Sequence, residues 1–138
     1  MMDEMRKMVQ EFQDKFETPH EPEFWVGLVK EELNETKEAA AHLLKEVCDI
    51  GYTLAGLVNR VGEKEAQRLL EEAGLGEFGT VLNDLIDAFG EDILAEAFTR
   101  VHASNMSKLD DDGNPVRRED GKVMKGPNYK PPVLDDLI

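Results

Sequence analysis

An all-α fold is what this sequence predicts: a helical bundle completed by oligomerisation, followed by a short irregular or hairpin C-terminal arm. Apolar residues recur at helical spacing through most of the chain, glycines punctuate its middle, and from Asp110 onward the character changes to a Pro- and Gly-containing tail. The 138 residues suit a single domain spanning 1–138, with about 110–138 as the arm.

In the first helix Met5, Met8, Val9, Phe12 and Phe16 form an i, i+3, i+4 stripe, and Thr18, Pro19 and Pro22 bring it to a stop. A Met and Phe stripe of this kind reads as core rather than as a cofactor contact. A second helix follows from about Glu23 to Ala40, with Trp25, Leu28, Val29 and Thr36 along one stripe. Glu32 falls within that stripe and Glu35 at its margin, so both carboxylates are expected to point toward a core.

The third helix runs from about His42 to Val61 and ends at Gly62, with Leu43, Val47, Ile50, Leu54, Leu57, Val58 and Val61 as its stripe. Glu46 sits on the edge of that stripe and Asp49 further round. Asp49 then requires packing on a second side, where Gly51 and Gly56 permit close approach. No Gly or Pro separates the second and third helices, so one continuous helix competes with a turn near Ala39-Ala40-Ala41. A continuous helix would hold Glu35 and Glu46 about 16 Å apart along its axis, too far to share an ion within one chain.

Gly62, Gly74, Gly76, Gly79 and Gly90 bracket a short helix around Lys64 to Glu72 and a longer one carrying Val81, Leu82, Leu85, Ile86 and Phe89. After Gly90 the pattern Ile93, Leu94, Ala97, Phe98 and Val101 gives a further helix running toward Met106. In the arm, Asp120-Gly121 is a turn signal that closes a small hairpin between Arg117 and Met124, and Gly126 to Pro132 reads as extended. A tail of this length is either disordered or used as a lid or partner contact.

With 30 acidic against 16 basic residues, the net charge of −14 repels a polyanionic backbone and argues against nucleic acid polymers as partners. A small nucleotide escorted by magnesium is still permitted. Cys48 is the only cysteine, which excludes an intrachain disulfide, and its neighbours Val47 and Ile50 point to a buried thiol. The start, Met1-Met2-Asp3-Glu4, lacks the order of a signal peptide and no apolar run reaches membrane-spanning length. The expectation is a cytoplasmic protein with no membrane partner.

The chemistry is concentrated in Glu31-Glu32-Leu33-Asn34-Glu35 and Glu46-Val47-Cys48-Asp49. Two like charges about 4 Å apart repel by roughly 4 kcal/mol at an effective dielectric near 20, so converging carboxylates require protonation or a metal. Magnesium, a hard cation held by a few carboxylates and shared with substrate phosphates, is the natural counter-ion, with manganese as a possible substitute. The competing reading is that these are solvated acids on amphipathic helices in a chain full of acids.

Other metal readings fail. Asp110, Asp112 and Asn114 begin like a calcium loop, but Pro115 replaces the required glycine and Gly121 the bidentate glutamate. Glu17-Thr18-Pro19-His20 has di-iron spacing broken by proline, and His42 lacks zinc-ligand neighbours.

Glu-Glu-x-x-Glu followed by Glu-x-x-Asp resembles the signature of the all-α nucleoside triphosphate pyrophosphatases, the superfamily of MazG, phosphoribosyl-ATP pyrophosphatase and the dimeric dUTPases. A second marker, His102-Ala103-Ser104-Asn105-Met106-Ser107-Lys108 with the later Glu119 to Tyr129, is similar to the C-terminal half of MazG-like proteins of phages and bacteria. The resemblance covers about residues 24 to 58 and 91 to 132. It implies magnesium held by Glu32, Glu35, Glu46 and Asp49, and Glu31 or Glu35 as the base that activates water. It also implies nucleotide binding by Asn105 and Lys108, with Lys125 and Tyr129 as additions from the arm, and a homodimer or homotetramer.

The residues alone agree in part. His102, Asn105 and Lys108 recur every three positions and drift slowly round the helix, which equally describes an ordinary polar helix end. Lys108, Arg117, Arg118, Lys122, Lys125 and Lys130 gather six of the sixteen basic residues where they can balance a triphosphate. Two features depart from the family pattern: the gap from Glu35 to Glu46 is short, and the segment from about Val61 to Asn83 has no clear counterpart in compact members.

The implied activity is magnesium-dependent cleavage between the α- and β-phosphates of a (deoxy)nucleoside triphosphate, giving a monophosphate and pyrophosphate. Specialisation for dUTP or phosphoribosyl-ATP is a variant of that reading. The alternative from another class is a noncatalytic acidic helical module that binds a protein.

Overall fold

From Lys37 to Lys45 the chain reads Lys-Glu-Ala-Ala-Ala-His-Leu-Leu-Lys, mostly strong helix formers with nothing to interrupt the backbone ladder. A computed structural model, describing residues 1–138, accordingly carries the helix through this stretch. The order is α1 (Met2–Phe16), α2 (Pro22–Val61), α3 (Glu63–Glu72), α4 (Phe78–Phe89), α5 (Glu91–Met106) and a 3-10 turn at Asp135–Leu137. The all-α class holds and there is no β-strand. The expected turn at Ala39-Ala40-Ala41 does not form: the second and third helices are one, 40 residues long. Alanines cost a helix least, and they supply no reason to leave it.

The chain divides into two compact units, Met1–Thr36 and Lys37–Ile138, with the division inside α2. In the first unit, α1 ends as Glu17 turns left-handed at φ 49° and the Thr18 N–H donates to the Gln13 carbonyl at 3.2 Å. The Trp25 indole N–H then donates to the Pro19 carbonyl at 2.8 Å, pinning the turn that the prolines open. The Met and Phe stripe of α1 is not core, however. Met5, Met8, Val9, Phe12 and Phe16 are all exposed, the least of them 48 %, and no residue of this unit is buried. Thirty-odd residues provide about two helical segments, too little to enclose an apolar face without another partner.

In the second unit a core does form. Ala41, Leu44 and Cys48 of α2 pack with Ala97 and Val101 of α5 and with Leu134 of the arm, flanked by Phe89, Ile93, Leu94 and Leu137. The buried face of α2 is therefore rotated from the expected stripe: Leu43 and Ile50 are 41 % and 45 % exposed, while Leu44 is fully enclosed. Ala41 and Cys48 share that buried face with Leu44 and meet Ala97 there, which a stripe chosen by aliphatic bulk overlooks. Gly51 has only the Phe98 ring near, a Cβ there being 3.6 Å away, and nothing approaches Gly56, so neither glycine is needed for close packing.

The arm is ordered by anchors along its length. Two turns, at Gly113 (φ 78°) and Gly121 (φ 88°), fold residues 109–123 into hairpin-like loops joined only by the isolated bridges Leu109 to Pro115 and Arg117 to Val123. Asp110 Oδ1 accepts from the Asp112 and Asn114 N–H groups at 3.0 and 2.8 Å, so the calcium-like pattern there is turn chemistry. Further on, Arg100 grips the chain end with donors to the Val133 carbonyl (3.0 Å) and to both Asp136 oxygens (2.6 and 3.0 Å). Leu134, 4 % exposed, completes the core beneath that grip. A disordered tail is thus not what this sequence forms. No helix is long and apolar enough to cross a membrane.

Candidate functional site

Glu46 and Asp49 lie one turn apart on α2, beside the core face that Leu44 and Cys48 define, with side chains 50 % and 38 % exposed. Between them stands Lys45, a residue the sequence pattern did not single out. Its ammonium donates to Asp49 Oδ2 at 2.6 Å and to Glu46 Oε1 at 3.3 Å. The bond to Asp49 holds the Lys45 pKa above its ordinary value, helped by Glu46 and opposed by partial burial. His42 Nε2 is 3.9 Å from the same Glu46 oxygen. Beneath this group Cys48 is buried, and desolvation first, then the Asp49 charge, pushes its thiol pKa up.

Glu31, Glu32 and Glu35 are exposed, and the expectation that Glu32 and Glu35 point toward a core is corrected. Leu28, Val29 and Leu33 around them are exposed as well, because nothing in that unit covers this part of α2. Both acidic motifs stand on the same unbroken helix. No group of three or more His, Cys, Asp or Glu side chains gathers as a metal-holding set in the single chain.

The two halves of the C-terminal marker do come together. Ser104, buried near the end of α5, donates through Oγ to the Lys130 carbonyl at 2.7 Å, and the Lys130 N–H donates to Ser107 Oγ at 2.9 Å. Gly126 lies so close to the Lys108 carbonyl oxygen that any Cβ there would overlap it. Asn128 reaches Asp111 at 2.8 Å. These ties hold the segment carrying Lys125 and Tyr129 against the one carrying Asn105 and Lys108. The Lys125 ammonium sits 4.8 Å from the centre of the Tyr129 ring, a cation–π distance. Asn105, Lys108 and Tyr129 are half-buried and Lys125 is exposed.

His102 is committed elsewhere, with its Nδ1 2.9 Å from the Tyr52 hydroxyl. Tyr52, like Lys45 and Ser104, is a contributor that sequence reasoning missed. A Lys four residues before Asp49 was the available signal for Lys45, whereas Tyr52 and Ser104 acquire partners only through tertiary contact. Alongside the acid pair, Val47, Cys48, Gly51, Ile86, Leu94 and Phe98 line an apolar cleft of about 330 Å³ with Glu91 at its polar edge.

Comparison of the chain with protein-family models, curated proteins and solved structures finds no match in any of the three.

Proposed function

We propose that the protein is a magnesium-dependent nucleoside triphosphate pyrophosphohydrolase that cleaves between the α- and β-phosphates, releasing a monophosphate and pyrophosphate. The observation that carries this reading is the docking of residues 125–130 on residues 104–108. Two sequence segments that resemble one family are thereby brought together, and they carry Asn105, Lys108, Lys125 and Tyr129.

The donors suit the metal in kind, although a single chain does not bring them together. Glu32, Glu35, Glu46 and Asp49 offer hard carboxylate oxygens, and two of them already hold a cation, the Lys45 ammonium. Magnesium, when bound, would neutralise the phosphates and lower the pKa of an attacking water. Glu31 or Glu35 takes the proton from that water as it attacks the α-phosphorus, and the bond to the β-phosphate oxygen breaks. Lys108 and Lys125 balance phosphate charge, Asn105 supplies a directional amide, and Tyr129 positions Lys125. Since α2 carries all four metal-binding carboxylates on one continuous helix, the reading assigns their convergence to assembly with a further copy of the chain.

A second reading keeps its own support. The exposed apolar faces of α1 and of the start of α2 suit a noncatalytic module that docks a protein. Mg-dependent turnover of (deoxy)nucleoside triphosphates, abolished by Asp49→Asn, supports the enzyme. Partner binding that survives neutralisation of all four carboxylates, with no turnover, supports the module.

A further inference from the structure

We propose that α2 pairs antiparallel with α2 of a second copy of this chain, the two-fold axis passing between Ala40 and Ala41. Because α2 is unbroken from Pro22 to Val61, residues alternately three and four apart make a single seam along it, from Trp25 and Leu28 through Ala39 and His42 to Thr53 and Gly56. The core takes another side of the helix, with Ala41, Leu44 and Cys48. Along the seam only Trp25 and Asp49 are even half-buried, so the face is free for a partner.

What fits this face is the same face turned end for end. About that axis Trp25 comes opposite the partner's Gly56, the largest side chain against none. Nothing lies within 4 Å of a Cβ built at Gly56, so within one copy this glycine weakens a helix interior with no packing reason. Leu28 covers the partner's Thr53, and Ala39 beside the axis leaves room for the partner's His42. The flanks agree. On one, Val29 meets the partner's Ile50, positions 58 % and 45 % exposed in the single chain, and the exposed Leu43 meets the partner's Thr36. On the other, Glu38 meets the partner's Lys45, an attraction between opposite charges. A parallel pair would set Trp25 against Trp25 and Gly56 against Gly56, losing these complements. Two acidic layers fall in the antiparallel register, Glu35 against the partner's Glu46 and Glu32 against the partner's Asp49, repeated on each side of the axis. They oppose the pairing until a cation stands between them. Their use as a metal site rests on the magnesium-dependent reading above, whereas the pairing is carried by the other layers and the flanks.

The test places nitroxide spin labels on full chains carrying Lys30→Cys, Lys37→Cys or Ala55→Cys, exposed positions of α2 off the seam, and reads distances by double electron–electron resonance in magnesium buffer. The wild type, whose single Cys48 is buried, gives the background. At 1.5 Å per residue from the axis, the axial part of the separation should be about 10 Å for Lys37→Cys, about 32 Å for Lys30→Cys and about 44 Å for Ala55→Cys, so the distances rise in that order. Equal distances at the three sites, a different order, or a monomer overturns the pairing. A companion variant, Gly56→Gln, raises helix propensity in the single chain but fills the seat of the partner's Trp25. Self-association in sedimentation should weaken at least about tenfold, the scale of losing a tryptophan anchor, with helicity retained by circular dichroism. Unchanged association overturns the register. Magnesium-dependent nucleotide turnover by a chain that fails these tests leaves the enzyme reading standing, and pairing in this register without turnover removes that reading alone.

Discussion

Leu44 is fully enclosed between α2, α5 and the arm, so Leu44→Ala should cost about 2–5 kcal/mol in urea unfolding through lost burial and the cavity left behind. A loss below about 1 kcal/mol would mean that the α2–α5 contact is not the core. The Cys48 thiol, buried and pushed up in pKa by desolvation, should resist alkylation at neutral pH until the protein unfolds. Rapid native-state labelling would contradict that placement. The sequence made Cys48 legible as buried because its neighbours are aliphatic, but not Leu44, because helical phase cannot rank two adjacent leucines. Leu44 faces inward with Ala41 and Cys48, toward Ala97 and Val101, while Leu43 stays exposed. Lys45 escaped notice for a related reason: its meaning depends on rotamers that bring one ammonium to two acids.

Helix limits were readable wherever glycine or proline supplies a physical stop, as at Pro19, Gly62 and Gly90, and not at Ala39-Ala40-Ala41, where strong helix formers carry one helix through the expected turn. The arm was readable in its turns and not in its anchorage, which joins residues 23 to 36 positions apart in sequence. Ser104→Ala should remove the 2.7 Å donor to the Lys130 carbonyl, leaving only Ser107 Oγ at 3.5 Å, and cost about 0.5–1.5 kcal/mol, with faster proteolysis of the arm as the visible sign. Gly126→Ala should loosen the same dock, because the new Cβ would overlap the Lys108 carbonyl. Acid should release the far end. Arg100 donates to both Asp136 oxygens and depresses the Asp136 pKa below its ordinary 3.8. A depressed folded pKa gives stability that is present above the unfolded value and lost as pH falls through the folded one. Hydrogen exchange at Leu137 should therefore rise below about pH 4, and Asp136→Asn should remove that pH dependence. Protection unchanged down to complete protonation would contradict the anchor.

At the scale of the molecule, α1 and the beginning of α2 bury no residue, while Phe12, Phe16, Phe24, Val29 and Leu33 stand exposed. Faces this apolar argue for assembly. Size exclusion with light scattering should return a dimer or tetramer, and a monodisperse monomer would count against the proposed completion of the site. The all-α class was legible from periodicity, whereas the candidate site was legible only as residue types in order, since one helix carries both acidic motifs. The most direct test incubates the full chain with the eight common ribo- and deoxyribonucleoside triphosphates and dUTP, with and without magnesium, and resolves the products by chromatography. Monophosphate and pyrophosphate should appear only with magnesium and fall by at least about 100-fold in Glu32→Gln and Asp49→Asn, the scale of lost catalytic electrostatics. Diphosphate with free phosphate, full activity in either variant, or no turnover by folded protein would contradict the account.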